Sequence, residues 1–295
     1  MRKLYCDLKN YFGKEVLSAR YMVSMLVLAL IVIMAFIEVP DVLVECGYRI
    51  GALEIATFIM SGGGISTVYY LVWVFVISGF PRWEGCQNEA LRMGKTSWLN
   101  RQFLYIFLTA VIQFLVVTAA QIIAVCRAAS WQNSWSQLSE YLCDGTVSLI
   151  NLGSKIAVSF SYDVTGMGAP FEMFALSMAL NVLCSVCIGC IVVVVNMCGR
   201  KGYGTAAGLF IVGLSSILYT LEPGSSAESM VRKIYNIVRY YLYPMAYTDL
   251  FRLTAKMGFN TVVWVVIGAL YFLTIALAAY IAGRKFIKKV DLFLE

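Results

Sequence analysis

Phe171–Met197, FEMFALSMALNVLCSVCIGCIVVVVNM, runs for 27 residues, and its only charge, Glu172, sits at the boundary. About 20 apolar residues suffice for a helix to cross the hydrocarbon core of a bilayer. The run is continuous and does not alternate with a period of two, so it reads as a helix and not as a barrel strand. Five further segments share this character: Tyr21–Ile37, Ile55–Ser78, Phe103–Val125, Thr205–Tyr219 and Thr261–Ile281. None carries a charge near its centre, which spares each a desolvation cost of several kcal/mol.

The composition agrees with that reading. Of 295 residues, 60% are hydrophobic and 14% charged, against about 25% charged in soluble domains. The mean hydropathy is +0.77. The chain has no histidine, which removes most zinc sites, the commonest general base and every Ser-His-Asp or Cys-His arrangement. The expected fold is an all-α integral membrane protein with six transmembrane helices, forming one transmembrane domain over 1–295. The first segment is read as a retained helix and not a signal peptide, because no small-residue cleavage site follows Ile37.

Orientation comes from lysine and arginine. Fifteen of the 23 fall before the first segment, between the second and third, between the fourth and fifth, and after the sixth. The acids Glu38, Asp41, Glu45 and Glu54 gather on the other side. The positive-inside rule then places both termini in the cytoplasm. The net charge of +6 is an orientation signal, and nucleic acid is not an expected partner.

Residues 1–20 read as an amphipathic interfacial helix. Leu4, Tyr5, Leu8, Tyr11, Phe12 and Val16 recur at helical spacing opposite Lys3, Asp7, Asn10 and Lys14, a pattern suited to the membrane surface. In the cytoplasmic loop 79–102, Gly79 and Pro81 end a span and Trp83–Leu91 can form a short helix. Charges of both signs alternate there with Trp83, Leu91 and Trp98, which suits docking onto another protein as well as a solvated connection. Gly94-Lys95-Thr96 imitates the end of a P-loop, but the position that needs glycine holds Glu89, whose carboxylate would repel phosphate. No nucleotide site, cofactor or catalytic group is expected in this chain.

Four other features mark candidate sites. Gly62, Gly63 and Gly64 interrupt the second segment at about 1 kcal/mol each relative to alanine, as a hinge or close helix crossing, or as a frayed end. Cys126 and Cys143 fall on the outer side and form a plausible disulfide; spacing alone does not fix connectivity. Cys184, Cys187 and Cys190 resemble a ligand series but sit in an apolar helix, where small residues serve packing. The outer loop 126–170 is long enough to form a structured cap. Between 220 and 260, an amphipathic stretch from Met230 to Leu242 and a second from Met245 to Met257 flank Pro244. These two short helices either dip into the outer leaflet or lie on its surface.

Gln113, Gln121, Asn181 and Asn196 are the notable polar groups within the segments, with Glu54 and Glu172 at boundaries. An ion-coupled carrier usually places a carboxylate within the membrane, and a channel lines a pore with polar rings. Neither pattern is present, so energy for transport would come from a cytoplasmic partner. The layout resembles the membrane subunits of ATP-binding-cassette exporters of the type-two permease family. The likeness rests on the interfacial helix, six spans, the loop 79–102, the paired helices around Tyr243-Pro244-Met245 and the basic ending Ala282–Asp291. It implies that Trp83, Glu84, Glu89 and Arg92 couple to an ATPase subunit, which alone binds ATP and Mg. It also implies a second permease copy, most simply as a homodimer, in a multi-pass plasma-membrane protein of a bacterium. Spans rich in Phe, Tyr, Met and Cys suit an amphipathic or hydrophobic cargo, a peptide first among them. The alternative is a six-span sensor or scaffold that transports nothing.

Overall fold

The computed structural model describes residues 18–45, 47–60, 64–80, 94–137, 139–140, 168–199, 202–220, 243–250 and 261–289, with isolated positions at 13, 230, 235 and 238. The described chain is mostly helical. Helix α1, Ala19–Phe36, starts where Ser18 caps it by accepting from the Tyr21 amide at 3.4 Å, satisfying one of the donors a helix start leaves orphaned. After two turn residues comes α2, Val39–Glu45. The second segment is split into α3, Ala52–Met60, and α4, Gly64–Ile77. At 1.5 Å per residue the halves reach about 13 and 21 Å, so neither alone crosses a core of about 30 Å.

Helix α5, Lys95–Val125, begins after Gly94, whose φ of +82° favours glycine. It starts eight residues before the hydrophobic run at Phe103, so the last part of the 79–102 stretch, 95–102, is helical. Trp98, Leu99 and Gln102 form a buried face there. Trp98 therefore belongs to the core and not to a docking surface. Helix α6, Pro170–Cys198, has proline at its first position and Glu172 in its first turn, which suit a helix start and its partial positive charge. Helix α7 is Tyr203–Thr220, a short 3-10 helix spans Pro244–Thr248, and α8 is Thr261–Lys289.

Four stretches are long and apolar enough to cross a membrane: Ala19–Glu45, Lys95–Val125, Pro170–Cys198 and Thr261–Ile287. Helices α4 and α7 are shorter and equally apolar. Helix α6 is the hub, touching α3, α4, α5, α7, α8 and the 3-10 helix. Its small residues explain this, since they let neighbouring backbones approach. At Gly189 a Cβ would lie 2.7 Å from Ile106 Cγ2, and at Gly204 on α7 it would meet the Val192 carbonyl and Asn196. The outward faces of α1 and α8 are apolar, with Leu26, Met34, Val262 and Leu270 all exposed. A hydrocarbon solvent accounts for such faces in a chain of this composition.

Contacts between helix ends divide the bundle into two poles. At one, the Arg20 guanidinium donates to Ser78, Tyr280 donates to Asn100 at 2.7 Å, and Gly283 lies near Val194 and Leu99. At the other, Arg127 pairs with Asp41 at 3.3 Å, and Ile50–Gly51 forms a two-residue parallel pairing with Ala129–Ser130. Arg20, Lys95, Arg101, Arg284 and Lys285 lie toward the first pole, and Glu38, Asp41, Glu45, Glu54 and Glu172 toward the second.

Candidate functional site: a buried polar lane between helices α4 and α6

Polar side chains in an apolar helix must find partners, because a buried unsatisfied group costs roughly 1–3 kcal/mol. Ser177, Asn181 and Ser185 recur every four residues and so share one face of α6. Helix α4 turns three aromatic residues toward that face. Tyr70 donates to Asn181 Oδ1 at 2.7 Å, and Trp73 Nε1 donates to the Ser185 carbonyl at 2.7 Å. The Tyr69 and Ser185 hydroxyls lie 3.2 Å apart. Asn181 also donates back to the Ser177 carbonyl at 2.9 Å. From α5, Gln113 Nε2 donates to the Tyr69 carbonyl at 2.9 Å. All these side chains are buried.

The lane continues toward both poles. At the basic pole, Asn196 donates to the Phe80 carbonyl at 2.7 Å and accepts from the Gly204 amide at 2.9 Å, joining α4, α6 and α7. Toward the acidic pole, Gln121 lies two turns beyond Gln113 on the same face of α5. Among the described residues, Gln113 Oε1 and both polar atoms of Gln121 are buried and have no hydrogen-bond partner. The lane ends at Glu54, which is completely buried. Its carboxylate accepts from the Ser136 amide at 2.7 Å, the Ser136 hydroxyl at 2.7 Å and the Ser139 hydroxyl at 2.6 Å. This clasp fastens the connection after α5 to α3. Gly51 makes room for it, as a Cβ there would sit 2.5 Å from Glu54 Oε1. Two further bonds hold the same connection to α6: Trp135 Nε1 to the Gly168 carbonyl at 2.8 Å, and the Phe171 amide to Asn133 Oδ1 at 3.1 Å.

Beside the lane, where Thr248 reaches the Tyr70 side chain, the short 3-10 helix is buried over Met245–Thr248. Tyr247 stacks on Trp264 with centroids 5.1 Å apart and on Tyr271 at 4.5 Å, with its edge toward Phe272 at 6.1 Å. Asp249, next in the chain, is also buried. Gly268 gives this segment access, since a Cβ there would meet Leu180 and Tyr247. Chemically, the lane offers neutral amides, hydroxyls and an indole, which lock helices in register and present polar atoms inside an apolar bundle. Among the described residues the buried carboxylates are Glu54, at one end of the lane, and Asp249, next to Thr248.

Of the residues singled out by sequence, Gln113, Gln121, Asn181 and Asn196 all belong to the lane. Glu54 stands in the first turn of α3, at the boundary read from the sequence, and is also buried, three serine donors replacing its hydration. Gly64 is the first residue of α4; Gly62 and Gly63 lie outside the described residues. Trp83, Glu84, Glu89 and Arg92 lie outside them too, as does Cys143. Cys126 is exposed, capping the end of α5. Cys184, Cys187 and Cys190 are buried on α6, and among the described residues no cluster of acids and cysteines could hold a metal ion. Sequence reasoning missed Tyr69, Tyr70 and Trp73. The four-residue spacing of Ser177, Asn181 and Ser185 was the one available signal that α6 had a polar neighbour.

Compared with protein-family models, curated proteins and solved structures, the chain matches none.

Proposed function

We propose that this chain is the permease subunit of an ATP-driven exporter of the type-two permease kind, moving an amphipathic or hydrophobic cargo, most simply a peptide. The observation that carries the reading is the basic pole. The start of α1, the end of α4, the start of α5 and the end of α8 converge there, with Arg20, Lys95, Arg101, Arg284 and Lys285 among them. By the positive-inside rule this pole faces the cytoplasm, which puts both termini and both ends of the 81–93 connection on that side. The six apolar segments then make six spans, α3 and α4 together supplying the second. The buried 3-10 helix at Pro244–Thr248 supports a re-entrant turn before the last span.

In this account Trp83, Glu84, Glu89 and Arg92 bear on a cytoplasmic ATPase that binds ATP and Mg. Movement of that loop enters the bundle through α4 and α5, whose ends flank it. Tyr70–Asn181 and Trp73–Ser185 pass the movement to the hub helix α6. Gly62, Gly63 and Gly64 form the joint between α4 and the outer half-helix α3, which Glu54 fastens to the outer connection. A second copy of the chain completes the cargo path against an outward face, and membrane lipid covers the rest.

The test is charge reversal in the loop. Glu89→Lys and Arg92→Glu are expected to abolish co-purification of an ATPase while the chain still reaches the membrane. Retained partner binding together with retained export in both variants would sink the coupling role.

A further inference from the structure

At the basic pole α1, α4 and α5 leave a crevice lined by Ser18, Arg20, Tyr21, Gly79, Phe80 and Thr109, with a volume of about 40 Å³. That is several times the roughly 10–15 Å³ one water needs. Ser18, Tyr21 and Arg20 line it beside Val76, Gly79, Phe80 and Thr109, the Thr109 hydroxyl donating to the Tyr105 carbonyl at 2.6 Å. The guanidinium is fixed: it donates to the Phe75 carbonyl and the Ser78 hydroxyl and lies 4.6 Å over the Phe75 ring. Gly79 keeps its seat open, because a Cβ there would come within 2.9 Å of Arg20 Nη1. A fixed cation beside the Ser18 and Tyr21 side chains is the chemistry that recognises a phosphate oxyanion.

The surroundings say what carries that phosphate. Val23 and Val27 follow Arg20 at helical spacing, and Leu71 precedes Phe75 by one turn; all three, with Phe75, are exposed and apolar. The crevice thus continues along the bundle into a hydrocarbon-facing stripe. An anionic head and an apolar track joined at one mouth fit a phospholipid better than a soluble phosphate.

We propose that this crevice binds the phosphate of an anionic phospholipid, with its acyl chains along the Val23, Val27, Leu71 and Phe75 stripe. The site rests on the chain being membrane-embedded and not on the exporter reading. An alkaline carbonate wash of native membranes tests that premise by itself, and release of the chain would remove it. The site is then tested on the full-length purified protein by native mass spectrometry, titrating phosphatidylglycerol, phosphatidylcholine or inorganic phosphate. Phosphatidylglycerol should bind in preference to phosphatidylcholine, and Arg20→Gln should weaken it about tenfold, the loss expected for one charge-assisted contact. Arg20→Lys, which keeps the charge, should restore most binding, and Arg284→Gln, at the same pole, should leave it unchanged. Equal retention of the two lipids would overturn the proposal, as would equal losses in Arg20→Gln and Arg284→Gln. Binding of inorganic phosphate without lipid retention would give the crevice to a free anion and overturn the lipid assignment.

Discussion

Replacing Glu54 with alanine strands the donors that clasp the outer connection. Three hydrogen bonds end on this carboxylate, from the Ser136 amide and the Ser136 and Ser139 hydroxyls. The two hydroxyls already lie 3.1 Å apart, so each can turn toward the other once the carboxylate is gone. One amide and one hydroxyl proton then stay unsatisfied, at roughly 1–3 kcal/mol each. Taking about 2–4 kcal/mol for local opening, amide exchange across 131–137 should accelerate about 30-fold to 1,000-fold. Glu54→Gln keeps an acceptor for the Ser136 amide and loses only the charge assistance, about 1 kcal/mol or roughly fivefold in exchange. The assay is hydrogen exchange by mass spectrometry on protein in lipid nanodiscs, following peptides over 50–57 and 131–137. Exchange in Glu54→Ala within about threefold of the parent would show that the clasp does not hold the cap.

Other substitutions probe the hub and the outer surface. Gly189→Ala pushes a Cβ against Ile106 and Trp73; this overpacking costs about 1–3 kcal/mol, and the thermal midpoint in detergent should fall, with Ile106→Ala partly restoring it. Tyr70→Phe and Asn181→Ala should each destabilise the chain yet combine non-additively, with a coupling near 1 kcal/mol; strict additivity in a denaturation cycle would mean the bond contributes nothing. Cys126 is a free thiol in the structure; the pairing with Cys143 suggested by sequence would instead let an impermeant maleimide label it from outside intact cells only after reduction. Labelling without reductant, or an intact mass unchanged by reduction and alkylation, would discard that disulfide.

The apolar helices were legible because each needs only its own sequence: 27 residues from Phe171 with one terminal charge have no other way to satisfy their backbone in lipid. Of the glycines read as a weak point in the second segment, Gly64 opens α4, and Gly62 and Gly63 lie outside the described residues. What the sequence hid is non-local. Burial of the boundary residue Glu54 was hidden because its serine partners lie more than 80 positions away, and the Ile50–Ala129 pairing is equally remote. Trp98 looked like part of a docking surface because it sits among charges, yet α5 starts at Lys95 and turns it inward. At Pro244 the sequence left an inserted and a surface segment equally open. Stacking of Tyr247 on Trp264 and Tyr271 places the part at Pro244–Thr248 inside the bundle, and no local pattern encodes that contact.

The most direct measurement is a mild-detergent purification of the tagged chain from its native membrane, with identification of what accompanies it. The account predicts a stoichiometric soluble protein carrying a complete P-loop, and ATP hydrolysis in the purified complex. A chain that emerges alone, or with a partner lacking any nucleotide site, would contradict the exporter and leave a six-span sensor or scaffold.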